Sequence, residues 1–216
     1  GARNGLCAVK LQIRGESFLH PKIFECIDYA KSSGIMDVQI TTNCTLLDEE
    51  RVQKILDSGL DGIILSVDEH HEENSRERLK RYKYSPVELS IKNFLQLKNK
   101  LGKSKPWVRL QTSITQSDMV SVRKKENYIK NKYPDADLIV INRIQDFRED
   151  VPVYPDLHAN YELLPCDYLM HRLAIFWDGE TTICCVDYNN RFKLGNIKDQ
   201  EIQKLWLSEK MDKFRA

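Results

Sequence analysis

Residues 37–68 read DVQITTNCTLLDEERVQKILDSGLDGIILSVD, and this stretch contains a strand, a helix and a second strand in direct succession. In its first part Val38 and Ile40 alternate with polar residues, which is the period of a β-strand. Asp48 has the side chain of a helix N-cap, and Gly59 is expected to end the following helix as its C-cap. A strand, a helix and a strand in this order predict a β–α–β unit with parallel strands.

The same alternation of strands and helices extends from the beginning of the chain to about residue 145. Strands are predicted at residues 8–14, 37–43, 61–68, 107–114 and 137–143. The intervening helices are predicted from Pro21 to Gly34, from Asp48 to Gly59, from Ser85 to Leu101 and at about residues 117–132. The sequence therefore predicts the fold class α/β with a parallel sheet.

The pattern changes after residue 145. Residues 146–165 form a Pro-rich and acidic connector between a first domain, residues 1–145, and a C-terminal domain, residues 166–216. In the latter, Asp178-Gly179 lies between two β-rich runs, 173–177 and 181–186, and predicts a tight hairpin. A single amphipathic helix is predicted at about residues 199–214.

The predicted strands of the first domain are polar along one face. Parallel sheets that are covered by helices on both faces normally consist of unbroken apolar runs. Here polar side chains occupy alternate strand positions, among them Lys10, Gln12, Arg14, Gln39, Thr41, Asn43, Ser66, Asp68, Arg109, Gln111 and Ser113. If helices cover the apolar face, we expect the polar face to curve around a ligand-sized cavity. The alternative is that these positions lie on the exposed surface of an open sheet.

Composition excludes several classes of protein. The 216 residues include 33 basic and 32 acidic side chains, and the formal charge of +1 provides no net attraction to nucleic acid or to an anionic membrane. No apolar run approaches the roughly 18 residues of a membrane span, and the first residues lack the apolar stretch of a signal peptide. We expect a cytoplasmic protein without nucleic-acid or membrane partners.

Short motifs occur in a fixed order along nearly the whole chain. In the first domain they are KLQIRGESFLHP (residues 10–21), TTNCTLL (41–47), SGLD (58–61) and LSVD (65–68). In the C-terminal domain they are Cys166, AIFWDG (174–179), CCVD (184–187), LGNI (194–197) and LW (205–206). In their order and spacing these motifs resemble radical S-adenosylmethionine (radical SAM) enzymes with a C-terminal twitch or SPASM extension.

The resemblance implies a partial (β/α)6 barrel, followed by a small β-hairpin and a helix that hold an auxiliary iron–sulfur cluster. It also implies a 4Fe–4S cluster that is held by three cysteines spaced Cys-x3-Cys-x2-Cys and leaves one iron for S-adenosylmethionine. In such enzymes one-electron reduction cleaves the sulfonium, and the 5'-deoxyadenosyl radical that results abstracts a hydrogen atom from the substrate.

The cysteines of the first domain do not have the spacing of that cluster motif. Cys7, Cys26 and Cys44 are too far apart in the sequence, and the chain does not begin with methionine. In the family the motif follows the first strand, and residues 8–14 correspond to the second. We therefore expect the ligands of this cluster upstream of residue 1.

The resemblance also implies a set of cofactor-binding residues. Gly15 and Glu16 would meet the methionine amino end of S-adenosylmethionine, and Asn43 would line the same rim. Ser66 and Asp68 would lie near the carboxylate and ribose, with Arg78 pairing the carboxylate and Gln111 reaching the ribose or adenine. Gln12 and Arg109 on the polar face are candidates for substrate binding; no catalytic base is identified. Relative to the family pattern, Arg14 and Ser17 replace a glycine and a proline, and Cys44 replaces a glycine.

The C-terminal cysteines admit three interpretations. By family spacing, Cys166 and Cys184 would ligate the auxiliary iron–sulfur cluster, and a Cys-x2-Cys pair would follow beyond the last helix. Cys184 and Cys185 are expected on a strand, where neighbouring side chains point to opposite faces and do not share a cluster. The alternatives are buried reduced thiols, or a zinc site of which Cys166 and Cys184 are two ligands.

The leading functional hypothesis is a radical SAM oxidoreductase, similar in layout to aminocyclitol dehydrogenases, that oxidises a small polar molecule or a peptide. It would draw electrons from a flavodoxin- or ferredoxin-type reductant. One alternative within the family is maturation of a peptide or protein side chain. Others are a non-catalytic barrel without clusters, and a cluster-free lyase or aldolase that uses a Schiff-base lysine such as Lys10.

Overall fold

The computed structural model describes residue 2 and residues 5–67, 87–114, 118–143, 166–185, 187 and 189–215. The chain divides into two compact units, residues 1–144 and residues 145–216. The predicted connector, residues 146–165, lies outside the described residues.

The first unit contains a five-stranded parallel sheet whose strands follow one another in chain order. The strands are β1 (Ala8–Lys10), β2 (Asp37–Thr42), β3 (Gly62–Ser66), β4 (Trp107–Ile114) and β5 (Leu138–Arg143). This arrangement confirms the predicted α/β class with parallel strands.

The strand predicted at residues 8–14 is shorter than expected. β1 ends at Lys10, although the N–H of Leu11 still donates to the carbonyl of Gln39 at 2.9 Å. The chain then bends towards a short 3-10 turn, Ser17–Leu19, because the hydroxyl of Ser17 lies 3.1 Å from the carbonyl of Leu11 and 3.0 Å from that of Thr41.

Helices connect the strands as the sequence predicts. They are α1 (Ile23–Ser32), α2 (Glu49–Asp57), α3 (Val87–Lys100) and α4 (Met119–Lys132). Asp48 caps α2 by accepting from the N–H of Arg51 at 2.8 Å, and Asp118 caps α4 in the same way. The predicted C-cap role of Gly59 is wrong, because α2 already ends at Asp57 and Ser58 is its C-cap.

The helices cover one face of the sheet and form a single apolar core with it. Alternate residues of the central strands point into this core, and each helix contributes at least one fully buried side chain. The members that are at most 1% exposed include Ile27, Val38, Ile40, Ile55, Ile63, Leu65, Ile91, Phe94, Val108, Leu110 and Ile129. The polar residues of β2 and β4 therefore lie on the opposite face, which we call the interior face.

Near the amino ends of the strands, two aspartates each accept a hydrogen bond from the backbone of a neighbouring strand and form an ion pair with a lysine. Asp61, just before β3, accepts from the N–H of Val38 at 2.9 Å and pairs with Lys31 at 2.6 Å. Asp137, just before β5, accepts from the N–H of Val108 at 2.7 Å and pairs with Lys98 at 3.1 Å. Burial opposes ionisation of Asp61, but hydrogen bonds from Lys105, Lys31 and Val38 outweigh burial and lower the pKa of Asp61.

The C-terminal unit contains a three-stranded antiparallel sheet with β6 (Ala174–Ile175), β7 (Glu180–Thr182) and β8 (Lys193–Asn196). The hairpin at Asp178-Gly179 is confirmed, since Gly179 has φ +90° and the carbonyl of Glu180 accepts from the N–H of Phe176. The strand β8 was not predicted, because four residues with a central glycine give no clear alternation. The strand predicted at residues 181–186 ends at Thr182.

Three helices complete the described part of this unit: α5 (Tyr168–His171), α6 (Ile202–Trp206) and α7 (Glu209–Arg215). The single helix that was predicted at residues 199–214 is divided at Ser208, whose hydroxyl oxygen accepts from the N–H of Met211 at 3.2 Å. Leu205 and Met211, one on each side of the break, are fully buried in the core of the unit.

Candidate functional site

The carboxyl ends of β1 and β2 are joined by the carboxylate of Glu16. Its Oε1 accepts from the N–H of Phe18 at 3.1 Å and from the hydroxyl of Thr42 at 2.8 Å, and its Oε2 accepts from the N–H of Asn43 at 2.7 Å. Thr42 in turn accepts from the N–H of Cys44 at 3.1 Å. Two predicted site residues, Glu16 and Asn43, thus meet at one rim of the sheet.

Two residues at this rim have left-handed backbone conformations. Gly15 has φ +74°, is exposed, and has open space where a side chain would begin. Cys44 has φ +64° and is fully buried. A left-handed residue favours glycine, which explains why the family pattern has a glycine where this chain has Cys44.

Asn43 is exposed, and its side chain stabilises its own turn. Its Oδ1 accepts from the N–H of Thr45 at 3.0 Å and from the hydroxyl of Thr45 at 2.6 Å. The amide of Asn43 therefore presents its nitrogen, and not its oxygen, to anything that approaches the rim.

The carboxyl half of the interior face holds two more predicted residues side by side. Ser66 of β3 is the direct register partner of Gln111 of β4, and both are half-buried. Arg109, one pleat closer to the amino end, donates from Nη2 to Oε1 of Gln111 at 2.8 Å. Because a guanidinium only donates, this contact directs the amide nitrogen of Gln111 away from Arg109. That nitrogen donates to none of the described residues.

Trp107 lies at the amino end of the interior face and is not among the site residues predicted from the sequence. Trp107 is the register partner of Gly62, and a Cβ added to Gly62 would lie 2.3 Å from the indole ring. The ring therefore lies directly against the backbone of Gly62, and Ile64 beside it is 1% exposed. At its amino end the interior face thus combines the polar Lys10 and Gln39 with Gly62 and the indole ring of Trp107.

Of the remaining predicted residues of the first unit, one lies outside the strands and two lie outside the described residues. Gln12 is half-buried but follows the end of β1, so it is not a strand residue as predicted. Asp68 and Arg78 lie outside the described residues.

The C-terminal unit carries its cysteines near the beginning of α5 and in the loop after β7. Cys166 is exposed, Cys184 is half-buried, Cys185 is exposed, and none of them forms a disulfide. Because β7 ends at Thr182, the prediction that the cysteine pair lies on a strand is wrong, and strand geometry is no reason to place the two side chains on opposite faces. Within the described ranges, no group of three or more His, Cys, Asp and Glu side chains is placed to hold a metal ion.

The loop after β7 is organised by Asp187, the last residue of the CCVD motif. Asp187 is 9% exposed and accepts from the hydroxyl of Thr182 at 2.6 Å, from the N–H of Arg191 at 2.8 Å and from the N–H of Phe192 at 2.9 Å. Its own N–H donates to the carbonyl of Cys184 at 3.2 Å.

Comparison with known families identifies the C-terminal unit. The model of the SPASM family, an iron–sulfur cluster-binding domain, matches residues 166–216.

In the part of the chain that the structure describes, no helix is both long and apolar enough to cross a membrane.

Two curated proteins are similar in sequence. A tungsten-containing aldehyde ferredoxin oxidoreductase cofactor-modifying protein of Pyrococcus furiosus is 22% identical over 240 residues, which cover 93% of this chain and 67% of that protein. A GTP 3',8-cyclase of Chlorobaculum tepidum is 37% identical over 82 residues, which cover 38% of this chain and 24% of that protein.

Solved structures resemble almost the whole chain in fold. The structure of anSMEcpe with bound AdoMet has a TM-score of 0.65 at 17% identity and is matched over 98% of this chain and 66% of its own. Streptococcus suis SuiB bound to the precursor peptide SuiA has a TM-score of 0.64 at 14% identity, over 97% of this chain and 55% of its own. BtrN in complex with AdoMet and 2-DOIA has a TM-score of 0.52 at 15% identity, over 99% of this chain and 67% of its own. The chain thus covers at most about two thirds of the length of each of these proteins.

Proposed function

We propose that the chain, which matches the SPASM family over residues 166–216 and is similar to radical SAM proteins, is a member of the radical SAM superfamily. In this proposal it forms the cofactor-binding sheet and the auxiliary-cluster domain of an enzyme that removes a hydrogen atom from a polar substrate. The observation that carries the proposal is the pairing of Ser66 and Gln111 on the interior face, close to the rim that Glu16 and Asn43 form.

The residues of the interior face fit S-adenosylmethionine in their chemistry. The ligand carries an ammonium, a carboxylate and a ribose, which require hydrogen-bonding groups on one surface. The amide nitrogen of Gln111 donates to none of the described residues, and the open space at Gly15 permits close approach to the backbone. In this proposal Gly15, Glu16 and Asn43 receive the amino-acid end, and Ser66, Gln111, Asp68 and Arg78 receive the remainder.

The SPASM domain supplies the right type of donor for an iron–sulfur cluster. Cys166 and Cys184 form no disulfide and are at least partly exposed, and soft thiolates are the ligands that such clusters require. We assign to these two cysteines the ligation of an auxiliary cluster.

When bound, a 4Fe–4S cluster with S-adenosylmethionine supplies a 5'-deoxyadenosyl radical, which abstracts a hydrogen atom. The task of this chain is to orient the ligand and to keep water out. Trp107 lies at the base of the interior face, and we assign contact with a polar substrate to Arg109, which also holds the amide of Gln111.

In the leading form of the proposal the reaction is an oxidation. Loss of a hydrogen atom, then of one electron and one proton, converts an alcohol into a carbonyl. An auxiliary cluster held by Cys166 and Cys184 would supply an acceptor for that electron. A flavodoxin- or ferredoxin-type protein of the cytoplasm would provide the reducing electron. The polar interior face supports a small hydroxylated or amino-bearing substrate.

A second candidate is the maturation of a peptide or protein side chain. It is favoured by the fold comparison, because the TM-scores of 0.65 for anSMEcpe and 0.64 for SuiB exceed the 0.52 of BtrN, and one SuiB structure contains a precursor peptide.

The proposal is tested with the full-length protein, loaded with iron and sulfide under anaerobic conditions and treated with dithionite. We expect S-adenosylmethionine to be cleaved to 5'-deoxyadenosine in the wild type and in Cys184→Ala, because auxiliary ligands are not needed for that cleavage. Deuterium transfer into 5'-deoxyadenosine from a deuterated aminocyclitol would support the oxidation, and transfer from a deuterated serine- or cysteine-containing peptide would support maturation. Iron-loaded protein that forms no 5'-deoxyadenosine would contradict both.

A further inference from the structure

The hydrogen bonds of Asp187 point to a role in holding the cysteine loop of the SPASM domain. Asp187 lies three residues after Cys184 and is the one carboxylate among the buried polar side chains described in the C-terminal unit. Burying a carboxylate is costly unless hydrogen bonds replace its water, and Asp187 accepts three such hydrogen bonds.

The two oxygens of Asp187 connect the two ends of the loop. Oδ2 accepts from Thr182, the last residue of β7, and from the N–H of Phe192, the residue before β8. Oδ1 accepts from the N–H of Arg191. The carboxylate thus fixes both strands that enclose the loop, and charge-assisted hydrogen bonds of this kind are stronger than neutral ones.

The backbone of Asp187 extends this control to the cysteine itself. Its N–H donates to the carbonyl of Cys184 at 3.2 Å, and its carbonyl accepts from the N–H of Asn190 at 3.2 Å. Asn190 has a left-handed φ of +51°, and its side chain donates to Glu180 of β7 at 2.8 Å. The direction of the chain at Cys184 therefore depends on the position of Asp187.

The register of the sheet supports the same conclusion. Thr181 pairs with Gly195 but Thr182 pairs with Lys193, so one residue of β8 is left over at the point where the loop begins. Such a bulge redirects the chain and disrupts the ladder locally. Side-chain hydrogen bonds have to hold the loop where the ladder does not.

We propose that Asp187 is the positioning residue of the auxiliary-cluster loop, which holds Cys184 in a fixed, half-buried position before any iron is bound. The proposal rests on the proposed role of Cys184 as a ligand. Preorganised ligands lose less conformational freedom when a metal group binds, so the expected benefit is a site that forms without reordering the loop.

The test measures the alkylation rate of each cysteine in the metal-free, full-length protein by mass spectrometry after pulses of N-ethylmaleimide. Asp187→Asn keeps the shape but places an NH2 group against backbone donors. We expect the rate at Cys184 to rise about tenfold, because the loop opens more often once these hydrogen bonds are lost. The rate at Cys166, near α5, should change less than about twofold.

A matched control is Asp178→Asn, because Asp178 also accepts from a backbone N–H of the small sheet, that of Glu180 at 3.1 Å, and none of its hydrogen bonds to described residues involves the cysteine loop. It should leave both rates unchanged. Thr182→Val is a milder variant that removes only the hydroxyl contact, and a rise of about threefold at Cys184 is expected, so the test remains decisive if Asp187→Asn does not fold.

Equal acceleration at Cys184 and Cys166 would overturn the proposal, because Asp187 would then support only the fold as a whole. Unchanged rates would overturn it as well. Iron counting after reconstitution tests separately whether Cys184 is a cluster ligand. If Cys184→Ala retains all the iron of the wild type, Cys184 is not a ligand. The alkylation rates still report whether Asp187 positions Cys184.

Discussion

Replacement of Glu16 by Gln tests whether the rim of the interior face depends on one carboxylate. In the structure Oε1 accepts from Phe18 and Thr42, and Oε2 accepts from Asn43. Glutamine has the same shape, but one of its two terminal atoms is a donor. Whichever way the amide is turned, at least one N–H or O–H donor of the rim faces an NH2 group.

The magnitude follows from the least costly orientation. The amide oxygen can take the place of Oε1 and keep two of the three hydrogen bonds, so that only the 2.7 Å contact to Asn43 is lost. Asn43 is exposed, so water can solvate its N–H in part. A hydrogen bond to a charged group contributes about 1.5–3 kcal/mol, and with partial solvation we expect a loss of about 1–2 kcal/mol in the free energy of unfolding.

The assay is equilibrium urea unfolding of the full-length protein at pH 7, with Glu50→Gln as the matched control. Glu50 is exposed and, among the described residues, forms its ion pair with Lys54 on the same helix, so its replacement should cost less than about 0.5 kcal/mol. A double-mutant cycle with Thr42→Val should show coupling, because the hydroxyl of Thr42 donates to a charged oxygen in the wild type and to a neutral amide oxygen in Glu16→Gln. If Glu16→Gln is no less stable than Glu50→Gln, the carboxylate does not organise the rim.

Two further variants test the base of the sheet. Asp61→Asn should lower the free energy of unfolding by about 2–3 kcal/mol at pH 7, because it removes the charge that Lys31 and Lys105 surround. Since the pKa of Asp61 is lowered in the folded state, this difference should be complete above pH of about 4 and shrink as the pH falls further, and a pH-independent difference in urea titrations would contradict the assignment. Gly62→Ala should cost about 1–3 kcal/mol, because its Cβ would lie 2.3 Å from the ring of Trp107. The double variant with Trp107→Leu should recover part of the loss in thermal unfolding, and strictly additive effects would contradict the contact.

The periodicity of the sequence predicted the sheet well because burial has the same period as the strands. In β2 and β4 every second residue is buried against helices, and the intervening polar residues mark the interior face. In β3 the alternation of apolar and polar residues predicts the two faces less clearly, because Ile64 is apolar although it lies on the interior face. The contact between Gly62 and Trp107 at the base of that face joins residues that are distant in the sequence, so no local pattern predicts it.

Local signals were weakest where side-chain hydrogen bonds replace the ladder. β1 ends early because Glu16 and Ser17 attach the following turn to β2, and partners distant in sequence cannot be read from periodicity. The cysteine loop was assigned to a strand for a related reason: Thr181 to Val186 is rich in β-formers, but the carboxylate of Asp187 turns the chain after Thr182. The last helix is interrupted at Ser208, which caps α7. The sequence predicts one continuous helix because the apolar residues keep the helical period across Ser208.

The most direct test of the central claim is the affinity of the iron-loaded, full-length protein for S-adenosylmethionine, measured by equilibrium binding for Gln111→Met. The account predicts that Gln111→Met weakens binding about tenfold, because a half-buried hydrogen bond to the ligand is lost, while Gln53→Met on the exposed side of α2 leaves the affinity unchanged. Equal affinities of the wild type and Gln111→Met would show that the ligand does not lie on the interior face.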